Sequence, residues 1–422
     1  MLDRVLLKNI FSLFSLRVAG YLIPLVTLPY LGRVLGVEQF GQLLFAIGFA
    51  NYGLIVANYG FELTATQKIA AKRDDDEYVS SIFWNTTLIR ACLATTVVIT
   101  IYISALFFEQ INVVKNLILI SCVGMFANAL FPIWLFRGKE ELGKVSTSAI
   151  VLQLLVVPTF LLFVKDEKDV NLAAIIYVIP VILNMLFSFY LVHKSNWIVK
   201  FDVSFKSVKQ ELVDGWYVFI SNLSVTFHTS GVLLFLGMIS GPVSVAIYGT
   251  AYRLYAAAMG LYDTLSQSFY PRISKLVSEG ADSGSKAIFT LLKLQLVLSI
   301  FLGFAIYFLG PFFLELLFGS EFSDSSSVLK VFAFLPFLNT FGGVFGIQTL
   351  LTHGYRKEYS NVYLYCSLIS IFVIPLLTYR FNVIGSVSGV LIVQACISVS
   401  MFYVVKTKNI LNFSNAHKEK TN

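Results

Sequence analysis

The chain has 422 residues, 57% of them hydrophobic and 13% charged, with a mean hydropathy of +0.78. A soluble domain carries about a quarter of its residues as charge, so this composition excludes a soluble catalytic module and indicates a polytopic membrane protein. The net charge of +7 argues for nucleic acid only if the membrane does not already place the basic residues.

Runs of about 20 apolar residues suffice to cross the hydrocarbon core. They predict twelve spans, at residues 10–31, 40–61, 82–108, 116–136, 146–164, 171–192, 213–239, 244–270, 287–318, 328–351, 360–379 and 385–405. Arg4 and Lys8 precede the first run, which is too long for a signal-peptide core and lacks a cleavage site, so it is read as a span. Of the 31 Lys and Arg residues, 21 fall in connections on the side of the termini, 6 on the other side and four within spans. The positive-inside rule therefore puts both termini in the cytoplasm, and the basic charge reports topology with no nucleic-acid partner implied.

The expected fold class is an all-α integral membrane protein, with twelve helices in two six-helix lobes about a central cavity. Residues 1–192 form the first lobe and 213–405 the second, with a cytoplasmic tail at 406–422. Between them lies a linker at 193–212, where Phe201, Phe205, Val208 and Leu212 recur at helical spacing. It reads equally as a helix in the membrane interface or as an amphipathic linker packed on the bundle. A shift of 208 residues aligns Gly41 with Gly249 and Phe61 with Phe269. That is a weak repeat of two halves in the same orientation.

Charge inside hydrocarbon costs at least ~2.5 kcal/mol per group unless it faces protein or water, so Arg17, Arg90, Arg253 and Lys293 stand out. Arg17, Arg90 and Lys293 lie near cytoplasmic span ends, where snorkelling competes with a role in a cavity. Arg253 sits near the bilayer middle, with Asp263 the one clearly embedded acid. Excess positive charge suits an anionic ligand. Tyr248, Tyr252, Tyr255, Met259 and Tyr262 form a stripe beside Arg253, either packing or a platform for sugar rings. Asn222, Thr226 and Thr229 line one face of span seven, and His228 near mid-depth reads as a packing residue or a proton carrier. Asn51 and Asn58 share a face of span two. Prolines 24, 132, 158, 180 and 375 within spans favour moving parts.

No metal set, catalytic triad or phosphate loop is present, and Cys92, Cys122, Cys366 and Cys396 all lie in apolar runs, so neither an enzyme nor a cofactor is expected. The acidic run Asp74–Glu77 reads as a solvated charge cluster.

Several segments, in order along the chain, resemble the polysaccharide flippases (Wzx type, O-antigen transporters) of the multidrug/oligosaccharidyl-lipid/polysaccharide exporter superfamily. They are the turn from Leu28 to Gly41, Tyr59-Gly60-Phe61 with Ala65 to Ala70, Pro132 to Glu140, Tyr270 to Ser274 and Leu317 to Phe322. The resemblance implies a two-lobed transporter of the bacterial inner membrane that alternates between inward and outward openings. Its implied cargo is an undecaprenyl-diphosphate-linked oligosaccharide of O-antigen (lipopolysaccharide) or capsule type, moved from the cytoplasmic to the periplasmic leaflet. Polymerase and chain-length proteins of polysaccharide assembly are the implied partners. On this reading Arg17, Arg90 and Arg253 hold the diphosphate, Tyr248, Tyr252 and Tyr255 contact sugars, and Asp263 or His228 couples an ion. A multidrug exporter of the same superfamily is the alternative, and a membrane-embedded polymerase or scaffold a more distant one.

Overall fold

A computed structural model describes the backbone of residues 4–229 and 231–411; the side chains of residues 4–19, 21, 22, 225, 227–229, 261, 264, 265, 281 and 282 lie outside the described set. The chain is all-α, with no strand among the described residues. Eight helical runs among those residues are long and apolar enough to cross a membrane. Two of them, Ile23–Ala71 and Arg356–Thr407, each cover parts of two expected crossings. The runs expected as spans seven and eight are helical too, and the second half of the former is the shorter apolar helix Gly231–Ser240.

By internal contacts the chain divides into two compact units. The first comprises Met1–Thr226 with Gly241–Ala246, and the second Phe227–Ser240 with Ile247–Asn422. The division falls inside two helices, later than the 193–212 linker expected from sequence.

In the first unit α1 (Arg4–Asn58) contains spans one and two, which meet at Gly36 without a loop. Gly36 has φ 69° and ψ 170°, a conformation that costs glycine little and any other residue much. Next come α2 (Phe61–Ala71) and α3 (Asp76–Phe107). The acidic run has a local task here, since the Asp75 carboxylate accepts the Tyr78 N–H at 3.0 Å and caps α3. After the short α4 (Glu109–Val113), span four is split into α5 (Lys115–Leu130) and α6 (Ile133–Gly138). Pro132 lacks an N–H and forces Phe131 into an extended conformation, which breaks the helix there. The first unit continues with α7 (Leu142–Phe163) and α8 (Val170–Lys194). Helix α1 packs on α3, α5 and α7, and α8 packs on α5 and α7.

The linker differs from expectation. Only residues 195–204 are non-helical, and α9 (Phe205–Thr229) begins inside the linker and runs on through most of span seven. The apolar spacing at Phe205, Val208 and Leu212 is thus the start of that helix and not a separate interfacial one.

The second unit contains α10 (Gly231–Ser240), α11 (Pro242–Glu279, whose first residues belong to the other unit), α12 (Ala281–Phe308), α13 (Gly310–Phe318), α14 (Ser325–Phe332) and α15 (Leu335–Phe341). A π-helical segment (Gly342–Leu351) leads to α16 (Arg356–Thr407). Helix α16 holds the last two crossings, which reverse at Phe381 and Asn382, the latter with φ 49°. Buried Val344, Phe345, Val393, Ile397 and Met401 form the core where the π segment meets α16. Outside the cores, large apolar side chains such as Phe107, Phe301 and Phe372 are more than 70% exposed. Such a surface is stable only in lipid.

Candidate translocation site

In the first unit Arg90, in α3, is fully buried. Its guanidinium lies over the Trp134 ring at 4.4 Å from the centroid, a cation–π geometry. One terminal nitrogen donates to Asn58 Oδ1 and, at 3.5 Å, to the Asn128 carbonyl. Nε and the other terminal nitrogen have no hydrogen-bond partner. Arg90 therefore does not snorkel; it is a buried cation on an aromatic face with two donors unused. Sequence reasoning missed Trp134 and Asn58 as its partners, although both had been singled out, Asn58 as a polar position in span two and Trp134 within the segment from Pro132 to Glu140.

The segments quoted above support this cage from the next layer. Thr66 Oγ1 donates to the carbonyls of Glu62 (2.6 Å) and Trp134 (3.3 Å), tying α2 to α6. At Gly60 φ is 116°, and an added Cβ would sit 2.8 Å from Val218 and 3.2 Å from the Gly215 carbonyl, so α9 passes too close for any side chain there. Tyr59 stacks on Phe219 of α9, centroids 4.7 Å apart. Beyond them Lys68 pairs with Glu211 at 2.8 Å and with Asp214 at 2.6 Å. Glu211 is 3% exposed, its second carboxylate oxygen has no partner, and burial pushes its carboxyl above the usual range, with Lys68 opposing.

In the second unit Tyr248, Tyr252 and Tyr255 of α11 gather around Phe332, with ring centroids 5.4, 6.0 and 5.0 Å away. Tyr248 and Tyr255 are buried, and the Tyr255 hydroxyl accepts from Asn339 Nδ2 at 2.9 Å. Farther along the same face Tyr262 meets Thr340 at 2.6 Å and donates to Gln295 at 3.2 Å. Along this face Tyr248 and Tyr255 pack against Phe332. Each helical residue turns about 100° from the last, so Arg253 points away from the buried face. Arg253 is half-buried and makes no hydrogen bond or ion pair among the described residues. Tyr252, half-buried, adjoins it.

Asp263 and Lys293 are exposed. The side chains of Arg17 and His228 lie outside the described residues. Among the described residues no group of His, Cys, Asp and Glu could hold a metal ion. Each unit thus holds a cation within a span, Arg90 in the first and Arg253 in the second.

Residues 6–277 match the family described as Polysaccharide biosynthesis protein. The chain belongs to this family. It is 32% identical over 408 residues to the "Putative O-antigen transporter" of Escherichia coli (strain K12), covering 96% of this chain and 97% of that one. The protein of the same name in Shigella dysenteriae is 27% identical, covering 94% of this chain and all of its own. Among solved structures, an inward-facing multidrug resistance MATE family transporter of the MOP superfamily matches with a TM-score of 0.71 at 16% identity, covering 95% and 96% of the two chains. The lipid II flippase MurJ, in an inward closed conformation, matches with the same TM-score and identity, covering 94% of this chain and 87% of its own. The chain therefore shares its fold with these two solved transporters, and its long apolar helices make this family member a multi-pass membrane protein.

Proposed function

We propose that this protein flips an undecaprenyl-diphosphate-linked oligosaccharide from the cytoplasmic to the periplasmic leaflet of the bacterial inner membrane by alternating access, with both termini cytoplasmic. The observation that carries this reading is Arg253, a cation within a span that has no anion of its own among the described residues. A guanidinium is weakly hydrated and matches phosphate oxygens with a planar fork, so it is the side chain best suited to a diphosphate in a low-dielectric site. In the first unit Arg17 and Arg90 are the proposed cationic residues, Arg90 only after its cage opens, and in the second Tyr252 supplies an aromatic surface beside Arg253. Asp263 and His228 are the proposed carriers of a coupling ion. Full-length similarity to proteins named as O-antigen transporters supports the polysaccharide cargo, and the fold shared with a lipid II flippase supports a lipid-linked one.

The test is a gene deletion in the native host, with surface polymer and undecaprenyl-linked repeat units measured before and after the gene is restored. Loss of polymer with accumulation of unflipped lipid-linked units is the expected result. Normal polymer with new sensitivity to cationic drugs would assign the protein to drug export instead.

A further inference from the structure

The two arms of α16 enclose a groove of about 720 Å³ that lies wholly within the second unit. Its walls are apolar and aromatic: Val362, Tyr365 and Ile369 on one arm, Cys396, Val399 and Tyr403 on the other. Tyr365, Val399 and Tyr403 are more than 60% exposed, so the groove is open along one side. From Glu358 at one end to Ile369 at the other it runs about 16 Å at 1.5 Å per helical residue. That matches one leaflet of a hydrocarbon core about 30 Å thick.

The charge at the Glu358 end is one-sided. Arg356, Lys357, Lys406 and Lys408 are all exposed there, and Glu358, the one carboxylate among the described residues lining the groove, is paired by Lys408 at 3.4 Å. A leaflet-deep apolar slot that opens beneath a basic cluster has the form of a site for an anionic lipid. We propose that this groove holds one acyl chain of an anionic glycerophospholipid, with the phosphate met by the Lys357 and Lys406 side of the mouth. The far longer undecaprenyl tail would overrun a slot one leaflet deep, and a zwitterionic lipid, whose own ammonium balances its phosphate, would bring the cations no net counter-charge.

The test is native mass spectrometry of the full-length protein released from vesicles of phosphatidylglycerol and phosphatidylcholine in equal amounts, with a polyprenyl phosphate added in a second series. The wild type is expected to retain phosphatidylglycerol preferentially. Val399→Trp fills the groove and should abolish the retained lipid. Lys357→Gln with Lys406→Gln leaves the groove open and should lower the preference roughly thirtyfold, since each cation near a membrane surface contributes about 1 kcal/mol. Thermal unfolding identifies any variant that has lost its fold, and the two variants act on different parts of the site. Equal retention of both phospholipids by the wild type, or retention unchanged in both variants, overturns the proposal. Preferential retention of the polyprenyl phosphate overturns it too and assigns the groove to the cargo's tail. None of these readouts depends on transport.

Discussion

The guanidinium of Arg90 rests on the Trp134 ring, 4.4 Å from its centroid, with Asn58 Oδ1 as its side-chain acceptor. A buried charge stripped of its partner typically costs 3–5 kcal/mol, whereas replacing the charge and its acceptor together by apolar groups is often neutral or stabilising. Asn58→Leu alone should therefore destabilise the protein by about 3 kcal/mol. Asn58→Leu with Arg90→Met should restore or exceed wild-type stability, because two unused donors disappear as well. Thermal unfolding in detergent measures both. If the double variant is folded and polymer export is lost, Arg90 is retained for transport; if the double variant fails to fold, the cation is structural.

Lys68 holds two carboxylates, of which Glu211 is almost completely enclosed. Because burial raises the Glu211 carboxyl above its usual value of 4.5, the folded protein binds protons there more tightly than the unfolded chain does. Its contribution to stability is full below pH 4.5 and is lost as pH rises through the raised value. Glu211→Gln should flatten that part of the stability profile as pH rises above 4.5. Lys68→Met, which strands the buried carboxylate, should cost about 3 kcal/mol at neutral pH. Unfolding followed across that pH range decides the matter: a wild-type slope identical to that of Glu211→Gln would show that Glu211 does not titrate in the window.

The spans were legible because lipid demands long apolar runs, and each expected crossing falls on helix. The joints between them were not. Gly36 and Asn382 turn the chain within one or two residues, and a gap in apolarity does not reveal so tight a reversal. The start of α9 was not legible, because apolar spacing at 205–212 is the same for a separate amphipathic helix and for the first turns of a longer one. The tyrosine stripe was correctly placed on one helix face, but periodicity cannot say whether a face meets Phe332 or a cavity. Arg90 was visible as a costly residue, yet the ring beneath it comes from a helix that only the fold brings near.

Gly385 fixes the reversal between the arms of α16. A Cβ there would lie 1.9 Å from the Leu377 carbonyl oxygen, and because that atom is backbone no rotamer change relieves the overlap. Gly385→Ala should cost about 3 kcal/mol by overpacking. Gly354 is the control: its φ is 84°, but a Cβ would meet nothing within 4 Å, so Gly354→Ala should carry only the left-handed backbone cost of about 1–2 kcal/mol. Equal unfolding temperatures for the two variants would refute the close approach at Gly385.

Arg253 gives the sharpest test of the transport reading, because it has no partner among the described residues whose loss would confuse the result. Its removal should leave the fold intact, as it packs away from the tyrosine face that binds α11 to Phe332. A hydrogen bond to a charged group contributes about 1.5–3 kcal/mol, so Arg253→Ala should lower polymer export by roughly ten- to a hundredfold at equal membrane abundance. Arg253→Lys keeps the charge but loses the planar fork, and should recover only part of the activity if two phosphate oxygens are held at once. Surface polymer and lipid-linked repeat units, measured in the complemented deletion strain, provide the readout. Full export by Arg253→Ala would remove this residue from the site, and full export by Arg253→Lys would show that charge alone is what the cargo needs.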